Sequence, residues 1–121
     1  MASILFVDDD PQICQLYSTV LTKKGHAVTV AESVMQAMRS LSSNEYDYLF
    51  LDMKMPDFDG INLLKEAKPA KNYPGMKVVA LTNSESDDLK KKARAMGVTD
   101  YLIKVDFSPY GIAQMLEQGA L

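Results

Sequence analysis

The chain has 121 residues, enough for one domain with a hydrophobic core and too few for two. Its formal net charge of −3 excludes a general attraction to nucleic acid or to anionic membranes. A single cysteine permits no internal disulfide and favours a reducing compartment. Neither a secretory signal nor an apolar run of roughly 18 residues, the length of a membrane span, is present. We therefore expect one domain over residues 1–121 in the cytoplasm, binding neither nucleic acid nor membrane.

Five short apolar runs predict β-strands. Four of them are almost continuously apolar, as is typical of parallel strands that are buried on both faces. These four runs occupy residues 3–7, 47–51, 77–81 and 100–103. Residues 26–30 are less uniformly apolar and predict an edge strand.

Helical patterns follow each predicted strand. Their starting signals, in chain order, are Asp10-Pro11, Ser33 with Gln36, Asp59-Gly60, Ser84, and Ser108-Pro109. The first helix is expected to turn Leu16 and Tyr17 inward, with Cys14 at the flank of that stripe. The third must end near Pro69, because proline breaks a helix interior.

The alternation of strands and helices gives five β/α units. This pattern predicts an α/β fold, a doubly wound parallel sheet with helices on both faces and right-handed crossovers. Because the second strand is the least apolar, we place it at an edge and expect the strand order 2-1-3-4-5. The switch point then lies between the first and third strands.

Reactive side chains follow four of these strands. Asp8 and Asp9 follow the first, Asp52 the third, Thr82 the fourth and Lys104 the fifth. In a parallel sheet these ends share one edge, so the side chains should converge. Clustered carboxylates repel one another unless a cation joins them, and Mg²⁺ is the natural cation for oxygen ligands. Together with a hydroxyl and an ammonium, they predict a site for a phosphoryl group.

These residues give the chain a resemblance to the receiver domains of two-component response regulators. The segments that carry it are Ile4-Leu5-Phe6-Val7-Asp8-Asp9-Asp10, Leu51 to Gly60, Ala80-Leu81-Thr82, and Gly97 to Lys104. They match in register along the whole chain. The resemblance implies a flavodoxin-like (βα)5 fold and a phospho-accepting signalling switch.

The resemblance also implies a role for each site residue. Asp52 would accept a phosphoryl group from a sensor histidine kinase or a phosphotransfer protein. Mg²⁺ would be bound by Asp52, directly by Asp9, through water by Asp8, and by the backbone carbonyl of Lys54. Such a domain would catalyse only its own phosphorylation and dephosphorylation, so it would not be an enzyme acting on other substrates.

Three further residues are implied to respond to the phosphoryl group. Lys104 would pair with Asp52 at rest and with the phosphoryl group afterwards, and Thr82 would donate its hydroxyl. Tyr101 stands where the family places an aromatic switch. The resulting surface change, on the fourth helix, fifth strand and fifth helix, would control a downstream protein target, an output domain or a second copy of the chain.

Three positions depart from the common family pattern, and one of them is Lys54, whose cation can overhang the site two residues after Asp52. Val105 follows Lys104 where proline, usually after a cis bond, is expected. A cis bond before a non-proline residue costs about 2.5–4 kcal/mol, so we expect a trans bond and a rearranged loop. Asn83 follows Thr82 where alanine or glycine is usual, and its larger side chain could narrow access to Asp52.

Two other classes of function stay open from the sequence. A receiver-like interaction module could keep the fold and act without phosphorylation, and Val105 and Asn83 leave room for it. A phosphatase with an aspartyl nucleophile would need a second acid two residues after Asp52, but Lys54 stands there. A flavin site is disfavoured, because the first loop lacks the small hydroxyl and glycine residues that surround a phosphate.

Overall fold

The computed structural model describes residues 1–53, 60–83 and 86–121. Five parallel strands form one sheet in the order β2-β1-β3-β4-β5, which confirms the predicted order and the edge position of the second strand. The strands are β1 (Ser3–Val7), β2 (Ala27–Ala31), β3 (Tyr48–Asp52), β4 (Lys77–Thr82) and β5 (Asp100–Ile103). Each lies within one residue of its predicted position.

Within the described residues, six α-helices and one short 3₁₀ helix follow the strands. They are α1 (Pro11–Lys23), α2 (Val34–Ser43), α3 (Gly60–Ala67), α4 (Pro69–Asn72), α5 (Asp87–Ala95), the 3₁₀ helix Lys104–Asp106, and α6 (Pro109–Glu117). The one-turn helix α4 was not predicted, so the fourth and fifth predicted helices are α5 and α6. Among the described residues, none of these helices combines the length and apolarity needed to cross a membrane.

Two hydrophobic layers cover the two faces of the sheet. Leu5, Leu49 and Val78 point to the layer shared with α2, α3 and α5, and their neighbours Ile4 and Phe50 point to the layer shared with α1 and α6. This alternation follows from the two-residue period of a strand. It explains why the three central strands, β1, β3 and β4, are apolar at nearly every position.

Local caps fix where the helices begin. Ser33 accepts a hydrogen bond from the Gln36 backbone N–H at 3.1 Å, whereas the Gln36 side chain returns to the N–H of Glu32 rather than to Ser33. The fourth predicted helix begins after Ser86, whose hydroxyl accepts from the Leu89 N–H at 3.2 Å. Ser84, from which the sequence placed that start, lies outside the described residues.

The inner face of α1 differs from the prediction at two positions. Leu16 is 47% exposed, whereas Cys14 is buried. Tyr17 is buried as expected, and its ring stacks on Phe6 at a centroid distance of 4.5 Å. The apolar stripe is therefore rotated toward Cys14, because α1 contacts both the sheet and α6.

A histidine at the start of β2 is held against the start of β1. The Ala2 N–H donates to His26 Nδ1 at 3.0 Å, so this nitrogen must be unprotonated. His26 Nε2 is buried and has no partner among the described residues. Burial and the positive amino terminus lower the pKa of His26 below its usual 6.5.

We expect acidification to weaken this end of the domain. Because the folded pKa lies below the unfolded value, the stabilisation is complete above about pH 6.5 and is lost as the pH falls below it. The melting temperature should therefore fall when the pH is lowered from about 7.5 to about 5.5. Most carboxylates remain ionised over this range. His26→Asn keeps an acceptor near Ala2 but cannot titrate, so its melting temperature should change less. An equal fall in both proteins would contradict this role of His26.

Candidate functional site

The register of the sheet brings four chain segments to one edge. Val7 pairs with Leu51, Asp52 with Leu81, and Thr82 with Ile103. The residues that follow or end these strands are therefore neighbours in space. Asp8, Asp52, Thr82 and Lys104 all lie at this carboxyl edge, as the sequence predicted.

Lys104 joins two of the carboxylates. Its Nζ lies 2.8 Å from Asp52 Oδ2 and 2.8 Å from Asp8 Oδ2. The three side chains are largely buried, with 17% of Lys104, 12% of Asp52 and 3% of Asp8 exposed. One ammonium thus offsets two carboxylates where solvent screens them little.

Lys104 keeps its charge in this environment. Burial alone would lower its pKa, but hydrogen bonds to Asp52 and Asp8 outweigh burial and raise the pKa above 10.5. The ion pairs are therefore present at neutral pH. On the alkaline side, they would be lost when the pH rises above 10.5 and through the folded pKa of Lys104.

The backbone around the three consecutive aspartates gives each a different environment. Asp8 Oδ1 accepts from the Asp10 N–H at 3.0 Å, which fixes the buried carboxylate. Asp10 turns away and caps α1 by accepting from the Gln12 N–H at 2.9 Å. Asp9 lies between them and is half-buried.

Thr82 and Tyr101 form a second contact at this edge. Thr82 is fully buried at the end of β4 and its side chain hydrogen-bonds to that of Tyr101 on β5. Burial raises the pKa of the Tyr101 phenol, and the bond to Thr82 opposes that rise only in part. Any movement of Thr82 toward Asp52 would therefore alter the environment of Tyr101.

The oxygen donors at this edge suit a hard divalent cation, although the described residues do not form a complete site. Among residues 1–53, 60–83 and 86–121, no group of three or more His, Cys, Asp or Glu side chains is arranged to hold a metal. Lys54, whose carbonyl was predicted as a ligand, lies outside these residues. In the arrangement described here, the Lys104 ammonium offsets the charge of Asp8 and Asp52.

Comparison with known proteins identifies the family. The model of the "Response regulator receiver domain" family matches residues 4–117. The chain belongs to this family. The receiver domain resembles the transcriptional regulatory protein GlrR of Escherichia coli, with 35% identity over 98% of the chain and 27% of that protein. It also resembles the DNA-binding transcriptional regulator NtrC of Proteus hauseri, with 32% identity over 94% of the chain and 23% of that protein.

Solved structures share the same fold. The chemotaxis protein CheY4 of Vibrio cholerae superimposes with a TM-score of 0.86 and 28% identity, covering 98% of each chain. The receiver domain of the Francisella response regulator 1452 has a TM-score of 0.80 and 29% identity over the full length of both chains. The receiver domain thus spans about a quarter of the two transcriptional regulators and nearly all of these two structures.

The loop after Lys104 adopts a 3₁₀ turn in this receiver domain. Residues 104–106 form the turn, and none of the described peptide bonds is cis, as expected for valine at position 105. Ser108 then caps α6 by accepting from the Gly111 N–H at 3.0 Å. The last helix therefore begins at its own cap, and the loop still places Lys104 in contact with Asp8 and Asp52.

Two residues that support the site were not identified from the sequence as doing so. The Cys14 thiol donates to the Asp8 carbonyl oxygen at 3.3 Å, and burial raises the pKa of Cys14 to about 11, so the thiol stays protonated at neutral pH. A Cβ on Gly60 would lie 2.9 Å from Met53 Cα and 3.0 Å from the Asp52 carbonyl oxygen. Only glycine lets α3 begin so close to Asp52.

The contact between Asp8 and Lys104 was also missed. The sequence alone does not show which of the neighbouring acids Asp8 and Asp9 lies nearer to Lys104.

Proposed function

We propose that the chain is a phospho-accepting signalling switch that carries the phosphoryl group on Asp52. The observation that carries the proposal is the pairing of Lys104 with Asp52 and Asp8 at the sheet edge that also holds Thr82. Intact mass after incubation with acetyl phosphate and Mg²⁺ tests it. The expected product gains one phosphoryl group.

The proposed reaction is a direct phosphoryl transfer. A carboxylate oxygen of Asp52 attacks the phosphorus of a phosphohistidine, the phosphorus–nitrogen bond breaks, and an acyl phosphate forms. Lys104 already contacts Asp52 at 2.8 Å. After transfer, its ammonium can donate hydrogen bonds to the negatively charged phosphoryl oxygens. Thr82 can donate its hydroxyl to the same group once it leaves Tyr101.

Mg²⁺ would be held by Asp9, Asp52 and the Lys54 carbonyl, with Asp8 acting through water. When bound, the metal would offset charge on the transferring phosphoryl group. The donors fit, because all are oxygens. Asp8 suits a position outside the direct ligands of the metal, because its two oxygens already accept hydrogen bonds from Asp10 and Lys104.

Removal of the proposed metal ligand should uncouple stability from Mg²⁺. Millimolar Mg²⁺ should raise the melting temperature of the wild-type domain, because a ligand that binds only the folded state stabilises it. Asp9→Asn should abolish that rise and also make the metal-free domain more stable by reducing charge repulsion. Calorimetry is the appropriate measurement, as the chain has no tryptophan. An Asp9→Asn protein with the wild-type response would exclude Asp9 as a ligand.

The proposed switch has partners on both sides. A sensor histidine kinase or a phosphotransfer protein would supply the phosphoryl group, and a protein target, an output domain or a second copy would receive the signal. The domain would turn over only its own phosphoryl group and so would not be an enzyme in the ordinary sense. We place it in the cytoplasm, in keeping with its single buried cysteine.

Phosphorylation should be detected on the surface formed by α5, β5 and α6. Drawing Thr82 toward the phosphoryl group breaks its contact with Tyr101 on β5, and two rotamers of that ring need differ by only a few kcal/mol. NMR shifts with and without beryllofluoride should therefore change at residues 86–108. Changes confined to the loops around Asp52 would show that this surface does not carry the signal.

An interaction module that acts without phosphorylation is the alternative. The observations that favour it are the non-proline Val105 in the loop after Lys104 and the exposed Asn83 beside Thr82. In that case Asp52 would take up no phosphoryl group from either small donors or a kinase. The protein would still fold through the pairing of Lys104 with the acids.

A further inference from the structure

A basic groove borders the end of α5, and none of its described lining residues belongs to β5 or α6. It is a cavity of about 330 Å³ between the end of α3, the one-turn helix α4 and the end of α5. Its floor is apolar, from Leu64, Ala70, Ala95 and Met96. Its rim carries three lysines, Lys65, Lys68 and Lys71. We call these seven residues the lysine groove.

The rim lysines are exposed and available for a partner. Within the part of the chain that the structure describes, none of them forms an ion pair with a carboxylate. The nearest acid in sequence, Glu66, lines a different cavity with Arg39 of α2. The groove is therefore a local positive region on a chain whose formal net charge is −3.

The positive region continues along α5. Lys91 and Lys92 precede Ala95 by one helical turn and so lie on the same side of the helix as this floor residue. Both lysines are exposed. Positive charge thus extends from the three rim lysines onto the neighbouring turn of α5.

The groove is held in shape by the contact between α4 and the turn after α5. Gly97 has φ +104°, and a Cβ there would meet Pro69 Cγ at 3.1 Å and the Ala70 N at 3.4 Å. Lys68, at the start of α4, also has a positive φ of 45°, which places this rim side chain by an uncommon backbone conformation. A binding partner would therefore meet a preformed surface.

We propose that the lysine groove binds an acidic amphipathic segment of a partner protein. One or two apolar side chains of that segment enter the cavity above Ala70 and Ala95. Flanking carboxylates pair with the rim lysines. This combination fits the apolar floor and the unpaired positive rim at the same time, which neither charge nor apolarity alone would do.

Nucleic acid and membranes fit this surface less well. The described residues that line the groove include no aromatic side chain on which a base could stack. The overall acidic chain would be repelled by a polyphosphate or by an anionic bilayer beyond the immediate patch. A short acidic peptide contacts only the patch, so the distant repulsion matters less at physiological salt.

Fluorescence anisotropy with labelled peptides tests the proposal on the whole chain. The probe is a helical peptide with leucines at i, i+3, i+4 and i+7 and glutamates elsewhere. Two matched peptides replace every glutamate by glutamine or every leucine by serine. We expect the first peptide to bind and each matched peptide to bind about tenfold more weakly or worse, because both the charge and the apolar anchor contribute.

Matched protein variants locate the binding. Lys65→Glu, Lys68→Glu and Lys71→Glu together should weaken binding at least about tenfold, whereas Lys23→Glu, Lys24→Glu and Lys77→Glu, with the same net charge, should change it less than about twofold. Ala95→Phe fills the cavity at an exposed helical position and should weaken binding with all lysines retained.

Three results would overturn the proposal: no binding of the glutamate–leucine peptide, equal weakening by both charge-reversed proteins, or tighter binding of a DNA duplex or anionic vesicles than of the peptide. Because the assay uses unphosphorylated protein, its outcome is independent of phosphoryl uptake at Asp52.

Discussion

Asp52→Asn should abolish the Mg²⁺-dependent uptake of a phosphoryl group from acetyl phosphate. An amide is neither anionic nor nucleophilic enough to attack phosphorus, and it also removes one of the two acids that Lys104 contacts. Lys104 and Asp8 remain paired in the variant, so the fold should persist. Intact mass spectrometry should detect the gain of one phosphoryl group in the wild-type protein and none in the variant.

Asp106→Asn is the matched control for this experiment. It removes one carboxylate from the 3₁₀ turn that begins at Lys104, yet Asp106 has no place in the proposed site. Phosphoryl uptake by this variant should equal that of the wild type. If Asp52→Asn still gains the group, another carboxylate is the acceptor. If the wild type gains none from acetyl phosphate or from a kinase, the phosphorylation-independent module is the better description.

The sequence was sufficient for the architecture because the sheet is buried on both faces. Nearly continuous apolar runs such as 3–7 and 77–81 placed the central strands closely, and the weaker run at 26–30 placed the edge strand. The boundaries depended on contacts that a local pattern does not contain. The α1 stripe turned toward Cys14 because α6 packs beside it, and α4 formed where Pro69 was expected only to end a helix.

The sequence was sufficient to predict which residues meet at the carboxyl edge of the sheet, but not all of the contacts between them. The resemblance named Lys104 and Asp52 as partners, and the structure brings them to 2.8 Å. The equal contact between Lys104 and Asp8 required three-dimensional information, since both acids lie at the same sheet edge. The close approach of Gly60 to the Asp52 backbone likewise depends on how α3 packs against β3, so a glycine after an aspartate reads only as a turn.

Lys104→Met should destabilise the metal-free domain by about 3 kcal/mol, toward the lower end of the cost of breaking a buried ion pair. The methylene stem keeps its packing, but Asp8 and Asp52 lose the only ammonium that either contacts among the described residues. Chemical denaturation measured by circular dichroism gives the free energy of unfolding. Lys90→Met, at an exposed position of α5, should change it by less than about 0.5 kcal/mol.

The source of this loss can be separated by a second substitution. If the cost arises from two carboxylates without a cation, Asp8→Asn should recover a large part of it in the Lys104→Met background, although the same change destabilises the wild type. Mg²⁺ should also stabilise Lys104→Met more than the wild type, because the metal then replaces the positive charge that Lys104 supplies to Asp52 and Asp8. Additive effects of Lys104→Met and Asp8→Asn would instead show that Lys104 contributes mainly through packing. In that case, neutralisation of Asp8 and Asp52 would not be the reason why Lys104 stabilises the domain.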